Sequence, residues 1–198
     1  MTLATSVSIP APRAAPRAID VHAGDGVRIH TWCSQDGQRF TLRPVEPRDL
    51  GLLAEMFRRT SGASRYDRFH GAVNELPLHV LRDFTHVDHR THVALVITCG
   101  APEGEIVVAE ARYTVDVGAS TGEFAVLVED RWQRRGLGER AVRSLVEAAC
   151  RAGLRRLRGD VLRTNAAMLA LMKRCGFGRT AGAREARAVA FEKRLGVA

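Results

Sequence analysis

The chain has no C-x-x-C pair, few aromatic side chains and no long apolar run. Each of these lacks narrows what it can be. Its cysteines, Cys33, Cys99, Cys150 and Cys175, are widely spaced, which argues against a zinc site and against a redox dithiol. Cys99 and Cys150 stand in apolar runs and read as small core residues, so a reducing, cytoplasmic setting fits. No uninterrupted apolar stretch approaches the ~18 residues needed to span a bilayer, and the N-terminus carries no apolar signal block. Arg13 and Arg17 precede the first acidic residue, Asp20, as in a transit peptide, but the segment is proline-rich rather than amphipathic. Aromatics are 6% of the residues, which leaves few platforms for stacking nucleic-acid bases.

Acidic residues are also in deficit. Among 198 residues there are 30 Lys and Arg against 22 Asp and Glu, a formal net charge of +8 with a pI near 10.3. Such a balance favours an anionic partner: nucleic acid, an anionic membrane or a polyphosphate cofactor. The arginines are scattered, and with so few aromatics the nucleic-acid reading is the weakest of the three. Hydrophobic residues make up 45% of the chain, enough for a core in one domain with an extension.

Residues 1–18, with Pro10, Pro12 and Pro16 among alanines and arginines, read as a mobile arm, and residues 19–39 as a hairpin extension ahead of a domain over 40–198. Val27 to Trp32 alternates with period two, Asp36-Gly37 signals a turn, and Phe40 to Arg43 alternates again. Pro47 and Asp49 start a helix with Leu50, Leu53, Met56 and Phe57 on one face, and Pro77 to Phe84 predicts a second. His92–Thr98, a loop at Gly100-Ala101-Pro102, Glu105–Val115 and Glu123–Val128 predict an antiparallel meander. Gly138–Ala152 is helical, with Glu139–Arg143 and Glu147–Arg151 as i,i+4 pairs and Gly153 as a left-handed stop. A strand at Leu157–Leu162, a helix capped by Asn165 and closed by Gly176, and a strand at Val189–Leu195 complete the order. The pattern is a mixed α/β domain.

One segment carries chemistry. Val126-Leu127-Val128 leads through a polar turn, Gln133-Arg134-Arg135-Gly136-Leu137-Gly138, into an amphipathic helix. A helix start has unpaired N–H groups and a partial positive charge, glycines let an anion reach the backbone, and two arginines add charge. No G-K-[ST] follows and G-x-G-x-x-G is absent, so the turn is neither a Walker loop nor a dinucleotide fingerprint. Glu123 is a lone carboxylate on an otherwise apolar strand shortly before this turn, and burial would raise its pKa towards a value useful for a base. Glu110, on the preceding strand, is the reserve candidate. His70, His79, His86, His89 and His92 are numerous, but His86-Val87-Asp88-His89 offers three ligands without a fourth. No metal site is expected, and the histidines read as loop and surface residues near an acceptor site.

Gln133 to Gly138 fits the Q/R-x-x-G-x-G/A acyl-CoA signature of the GNAT superfamily, and Asn165 to Gly176-Phe177 resembles the family's asparagine-headed helix ending in Gly-Phe. The resemblance covers roughly residues 40–195. Leu42-Arg43-Pro44, Ser64 to Phe69 and Glu123 to Val126 ahead of Trp132-Gln133 resemble the bacterial protein-lysine acetyltransferase (Pat-like) group. Pat-like proteins often carry large partner domains or a nucleotide sensor domain, for which this chain is too short, so its substrate could differ. The resemblance implies a GNAT fold, a mostly antiparallel twisted sheet flanked by helices. It also implies an acetyl-CoA-dependent N-acetyltransferase with Glu123 as general base. Val126, Leu127 and Val128 would hold the pantetheine arm, with the Val128 N–H on the thioester carbonyl. Gln133, Arg134, Arg135, Gly136, Leu137, Gly138 and Glu139 would hold the diphosphate, and Asn165 would touch the cofactor besides capping its helix.

The implied partners are acetyl-CoA and an amine acceptor, either a protein lysine or a small molecule, with a homodimer compatible and neither nucleic acid nor membrane required. Met172 stands where many relatives place a tyrosine acid. Tyr113, Tyr66 or water are the substitutes, and no general acid is assigned. Cys175 has no histidine in register for a covalent mechanism. The alternative to an enzyme is a non-catalytic acyl-CoA-binding sensor.

Overall fold

Runs rich in Val, Ile, Leu and Ala form the middle of a sheet, with helices laid over both of its faces. The computed structural model describes residues 19–22, 28–101, 104–115 and 119–196; the expected arm at 1–18, Val27 and Pro102 lie outside them. The strands are β1 (Ile19–His22), β2 (Arg28–Cys33), β3 (Arg39–Pro44), β4 (His92–Ala101), β5 (Gly104–Val115), β6 (Thr121–Val128), β7 (Arg156–Leu162), β8 (Gly178–Thr180) and β9 (Ala188–Arg194). They form one sheet in the order β1-β2-β3-β4-β5-β6-β7-β9-β8. The meander of β4, β5 and β6 is antiparallel as expected, and Gly100 and Ala101 continue β4 rather than looping.

The helices are α1 (Leu50–Arg59), α2 (Gly62–Phe69), α3 (Leu78–Thr85), α4 (Leu137–Arg151) and α5 (Ala166–Arg174). Pro47–Asp49 is a 3-10 turn leading into α1, and Arg43 grips the buried Asp49 with two bonds of 2.7 and 2.8 Å, fixing β3 to that turn. Two apolar clusters divide between the faces. Leu53, Met56, Phe57, Leu81 and Phe84 of α1 and α3 pack on Leu127 of β6. Leu137, Ala141, Leu145, Met168 and Leu171 of α4 and α5 pack on Phe124, Val126 and Val128. The two sets on β6 alternate as a strand buried on both sides requires. Gly153 and Gly176 close α4 and α5 with φ of +75° and +77°, as anticipated.

Three elements are absent from the sequence-based order: strand β1, which pairs with β2 inside the expected hairpin extension, helix α2 and strand β8. Helix α2 begins with glycine, spans only Gly62–Phe69 and is polar on average, burying Ser64 and Arg68 rather than an apolar stripe; its signal is the N-cap Ser61, which accepts from the Ser64 N–H. Strand β8 has three residues, all exposed.

The parallel step of the sheet positions the site. β6 and β7 pair only from Thr121/Arg156 to Glu123/Arg158. The next residues are Phe124 and Gly159, and a Cβ on Gly159 would stand 2.7 Å from the Phe124 ring. The pairing therefore stops where an aromatic ring lies against bare backbone, and the rest of the β6 edge has no strand partner among the described residues.

Candidate functional site

The Glu129 N–H donates to Val108 O at 3.0 Å, and antiparallel ladders alternate. The peptide groups of Glu123, Ala125 and Leu127 therefore face β5. Those of Phe124, Val126 and Val128 face the edge that β7 has left. This edge runs for about 17 Å from Glu123 to Val128 at the usual rise per strand residue. At its far end Gln133 Nε2 donates to Val128 O at 3.1 Å, leaving the Val128 N–H as the edge's last group.

Beyond it lies the turn. Arg134 and Gly136 both have left-handed backbone, φ +60° and +79°. Gly136 is the N-cap of α4 and offers no capping side chain, and the first helical bond is from Arg140 N–H to Gly136 O at 3.1 Å. The N–H groups of Leu137, Gly138 and Glu139 therefore precede the helical ladder, at the positive end of a 15-residue helix. A Cβ on Gly136 would meet nothing within 4 Å, so the approach is open. Arg134 and Arg135 are exposed; Arg135 reaches Asp36 at 3.1 Å and lies over the Trp132 ring. Glu139 is held by Arg143 and Arg174 at 2.8 and 3.2 Å.

The turn is anchored from outside. Asp130 accepts from the Ser61 N–H at 2.6 Å, the Ser61 hydroxyl at 2.7 Å and the Ser64 hydroxyl at 2.8 Å. Gln133 Nε2 also donates to Ser64 Oγ at 3.1 Å. The amide of this signature residue is thus engaged within the protein, tying the turn to the start of α2. Burial pushes the Asp130 carboxyl up, but the bonds from Ser61 and Ser64 outweigh it and leave the group below its ordinary value. Asn165 caps α5, its Oδ1 accepting from the Met168 N–H at 2.9 Å. Its Nδ2 is buried and has no hydrogen-bond partner among the described residues.

Glu123 lies at the near end of the open edge, its side chain on the face of Leu127. It is neither deeply buried nor alone, in contrast to the desolvated carboxylate anticipated from the strand. The side chain is 23% exposed, and Arg184 holds both oxygens at 2.6 Å. A cavity of about 350 Å³ opens here, lined among others by Thr121, Glu123, Arg158, Asp160, Gly182 and Arg184. Asp160 is buried and accepts from the Arg184 N–H at 2.7 Å. Glu110, the reserve base, is 3% exposed; Arg112 lies at 2.5 Å and the fully buried Arg68 at 3.7 Å. Burial draws the Arg68 pKa down to about 10.

The other expected residues fall outside this line. Tyr113 is fully buried in the cluster under α4, with its pKa pushed up to about 12 by burial. The Tyr66 hydroxyl is bonded by Arg187, which also reaches His70 O at 2.6 Å. Burial pushes the Cys175 thiol up to about 11, away from thiolate chemistry. Met172 is buried in α5. Asp88 holds the turn before β4 through the Arg90 and His92 N–H groups and the Thr91 hydroxyl; among the described residues no three His, Cys, Asp or Glu side chains converge as metal ligands. Among the described residues no helix is long and apolar enough to cross a membrane.

Arg184, Asp160, Ser61 and Asp130 were not foreseen. Only Ser61 carried a local signal, as a helix cap; the others acquire meaning through contacts across the fold.

Comparisons with known proteins agree with this geometry. The profile of the acetyltransferase (GNAT) domain matches residues 39–178. Acetyltransferase Pat of Mycolicibacterium smegmatis is 33% identical over 141 residues, 71% of this chain but 41% of that protein. The chain thus spans less than half the length of this relative. The GNAT domain of S. lividans PAT superposes with a TM-score of 0.74 at 25% identity, covering 90% of this chain and 97% of that one. The yncA protein of Salmonella typhimurium, solved with its cofactor acetyl-CoA, shares the fold with a TM-score of 0.62 at 20% identity, covering 79% and 94% of the two chains. An open strand edge leading into an uncapped, glycine-started helix, matched by that profile over most of its length, places this chain in the GNAT acetyltransferase family.

Proposed function

We propose that the protein transfers the acetyl group of acetyl-CoA to a primary amine. The observation that carries this reading is the continuity of the site: an uncapped helix start, an unpaired strand edge and a carboxylate lie in sequence along β6. The residues fit acetyl-CoA. The N–H groups from Leu137 to Glu139, bared at Gly136 and flanked by Arg134 and Arg135, suit the diphosphate. The edge groups of Val126 and Val128 suit the amides of the pantetheine arm as an added strand would, and the unpartnered Asn165 Nδ2 offers one more donor.

Bound there, acetyl-CoA supplies an activated acyl thioester: a C–N bond to the amine forms, the C–S bond breaks, and the CoA thiolate leaves. An alkylamine with a pKa near 10.4 is almost entirely protonated at neutral pH. Glu123 takes that proton, directly or through one water. The Val128 N–H donates to the carbonyl oxygen as charge develops. No side chain is assigned to protonate the leaving thiolate, whose ordinary pKa near 8.5 lets it depart unaided.

The second reading, a non-catalytic acyl-CoA sensor, draws on one observation: both oxygens of Glu123 are held by Arg184. Release of CoA thiol over a panel of amines separates the two. Turnover with any amine supports the enzyme; tight acetyl-CoA binding without turnover across the panel supports the sensor.

A further inference from the structure

Residues 181–187, between β8 and β9, form neither helix nor strand, yet they carry the arginine that grips the proposed base. Arg184 puts one nitrogen on each Glu123 oxygen at 2.6 Å. An irregular segment has no ladder to fix such a side chain, so its place depends on how the segment is anchored. On the β7 side the anchors are the Arg184 N–H on Asp160 at 2.7 Å, the Arg163 N–H on Arg187 O at 2.9 Å and Arg163 Nε on Ala186 O at 3.0 Å. On the α2 side the anchor is Arg187. All three of its guanidinium nitrogens are engaged: Nε on Glu185 at 2.5 Å, Nη1 on the Tyr66 hydroxyl, and Nη2 on His70 O at 2.6 Å. Tyr66 lies in α2, and His70 is its left-handed C-cap, whose carbonyl stands beyond the last helical residue. Glu185 adds a contact of 3.7 Å to His70 Nδ1. Arg187 thus binds the segment to the end of α2 across 117 residues of sequence.

A surface arginine that serves solubility gains little from ion pairs and keeps most of its donors in water. Arg187 is half exposed, but it places each nitrogen on a different residue, which fixes geometry. Arg184 and Arg187 flank one tight turn, closed by the Ala188 N–H on Glu185 O at 2.9 Å, so the position of one is passed to the other. We propose that Arg187 is a positioning residue for the reaction: by clasping Tyr66 and the His70 carbonyl it holds the turn from which Arg184 orients the Glu123 carboxylate. This rests on the acetyltransferase reading with Glu123 as base, and deepens it. Arg184 leaves lone pairs of the carboxylate open, so Glu123 accepts a proton while its direction is set.

The test reads the ion pair and the reaction separately, on the full chain. With CoA bound, NMR of isotope-labelled arginine measures rotation of the Arg184 guanidinium about its Nε–Cζ bond, which the two bonds to Glu123 slow. Arg187→Ala speeds that rotation about tenfold or more, and Tyr66→Phe, which removes one bond from an exposed ring, speeds it by less. Thiol release from acetyl-CoA with propylamine, spermidine and a lysine-containing peptide gives the second readout. With the fastest of these amines, Arg187→Ala lowers kcat about threefold to tenfold, while acetyl-CoA affinity by calorimetry stays within about twofold. In the Glu123→Gln background the same substitution costs nothing further, because its effect passes through the carboxylate. Denaturant unfolding checks that each variant folds, and where Arg187→Ala does not, Arg187→Lys and Tyr66→Phe carry both readouts. Unchanged Arg184 rotation, an equal fold-loss of kcat with and without Glu123, or a matching loss of acetyl-CoA affinity overturns the proposal. Faster rotation with no transfer to any of the three amines leaves the clasp on the ion pair standing and overturns the acetyltransferase reading instead, so the two failures are distinct.

Discussion

The two ends of β6 are built by opposite means. The far end presents main chain: bared N–H groups at the α4 start, an open edge, and no side chain at Gly136. Nearly all of it comes from one contiguous stretch, 126–139. The near end gathers charged side chains from β6, β7 and the segment before β9, with Glu123 and Arg184 paired across 61 residues of sequence. Main-chain sites are built by local conformation and tolerate exchange of neighbouring side chains. Side-chain sites depend on the whole fold and fail through single substitutions.

The sharpest break of that contrast is Glu123→Gln. It keeps shape and removes the base, so kcat falls about 10²- to 10⁴-fold. Acetyl-CoA affinity by calorimetry stays within about twofold, because the far end makes no use of this side chain. Loss of both together would mean that the two ends are not separable; unchanged kcat would remove Glu123 from the chemistry.

The far end yields to Gly136→Glu, which sets a charged side chain on a left-handed residue in front of the bared N–H groups. Acetyl-CoA affinity falls about tenfold or more, while Gly136→Ala, whose Cβ meets nothing within 4 Å, costs only backbone strain of about 1 kcal/mol in stability. Wild-type CoA affinity in Gly136→Glu would refute the cradle.

This asymmetry also decides what the sequence could disclose. The far end was legible because helix starts, glycine turns and strand edges are local, and Gln133 to Gly138 and Asn165 to Phe177 both fold as their spacing suggests. The meander and the α4 and α5 boundaries followed from periodicity for the same reason. The near end was half legible. Glu123 stood out as a carboxylate in an apolar run, but its partner could not, since nothing in Arg184's surroundings distinguishes it from the many other arginines. Helix α2 stayed hidden because it is short and polar on average, and the side chains it buries, Ser64 and Arg68, are polar, with partners such as Asp130 and Gln133 far along the chain.

The boundary between the two ends is Phe124 against Gly159. Gly159→Ala would put a methyl group 2.7 Å from a ring that already packs on Phe177 at a centroid distance of 4.9 Å. The ring has little room to yield, so denaturant unfolding shows a loss of about 1–3 kcal/mol. Adding Phe124→Leu restores part of it, and a neutral Gly159→Ala would show that the ring does not set where β6 and β7 part.

The smallest effect probes whether the turn is held from α2. Asp130 is kept below its ordinary pKa by the Ser61 N–H and the hydroxyls of Ser61 and Ser64, against the upward push of burial. A carboxyl depressed in the folded state contributes stability that is fully present above its unfolded pKa, near 3.9, and is lost as pH falls through the folded value. The stability difference between wild type and Asp130→Asn should therefore be constant above about pH 5 and shrink below about pH 4. Its size is about 1 kcal/mol or less, as suits a partly solvated carboxylate. A difference that stays flat to the acid limit of the native state would mean that the bonds from Ser61 and Ser64 contribute nothing through the charge of Asp130. The turn would then owe its position to the Gln133 amide and its own backbone, making the far end even more local than the contacts with α2 suggest.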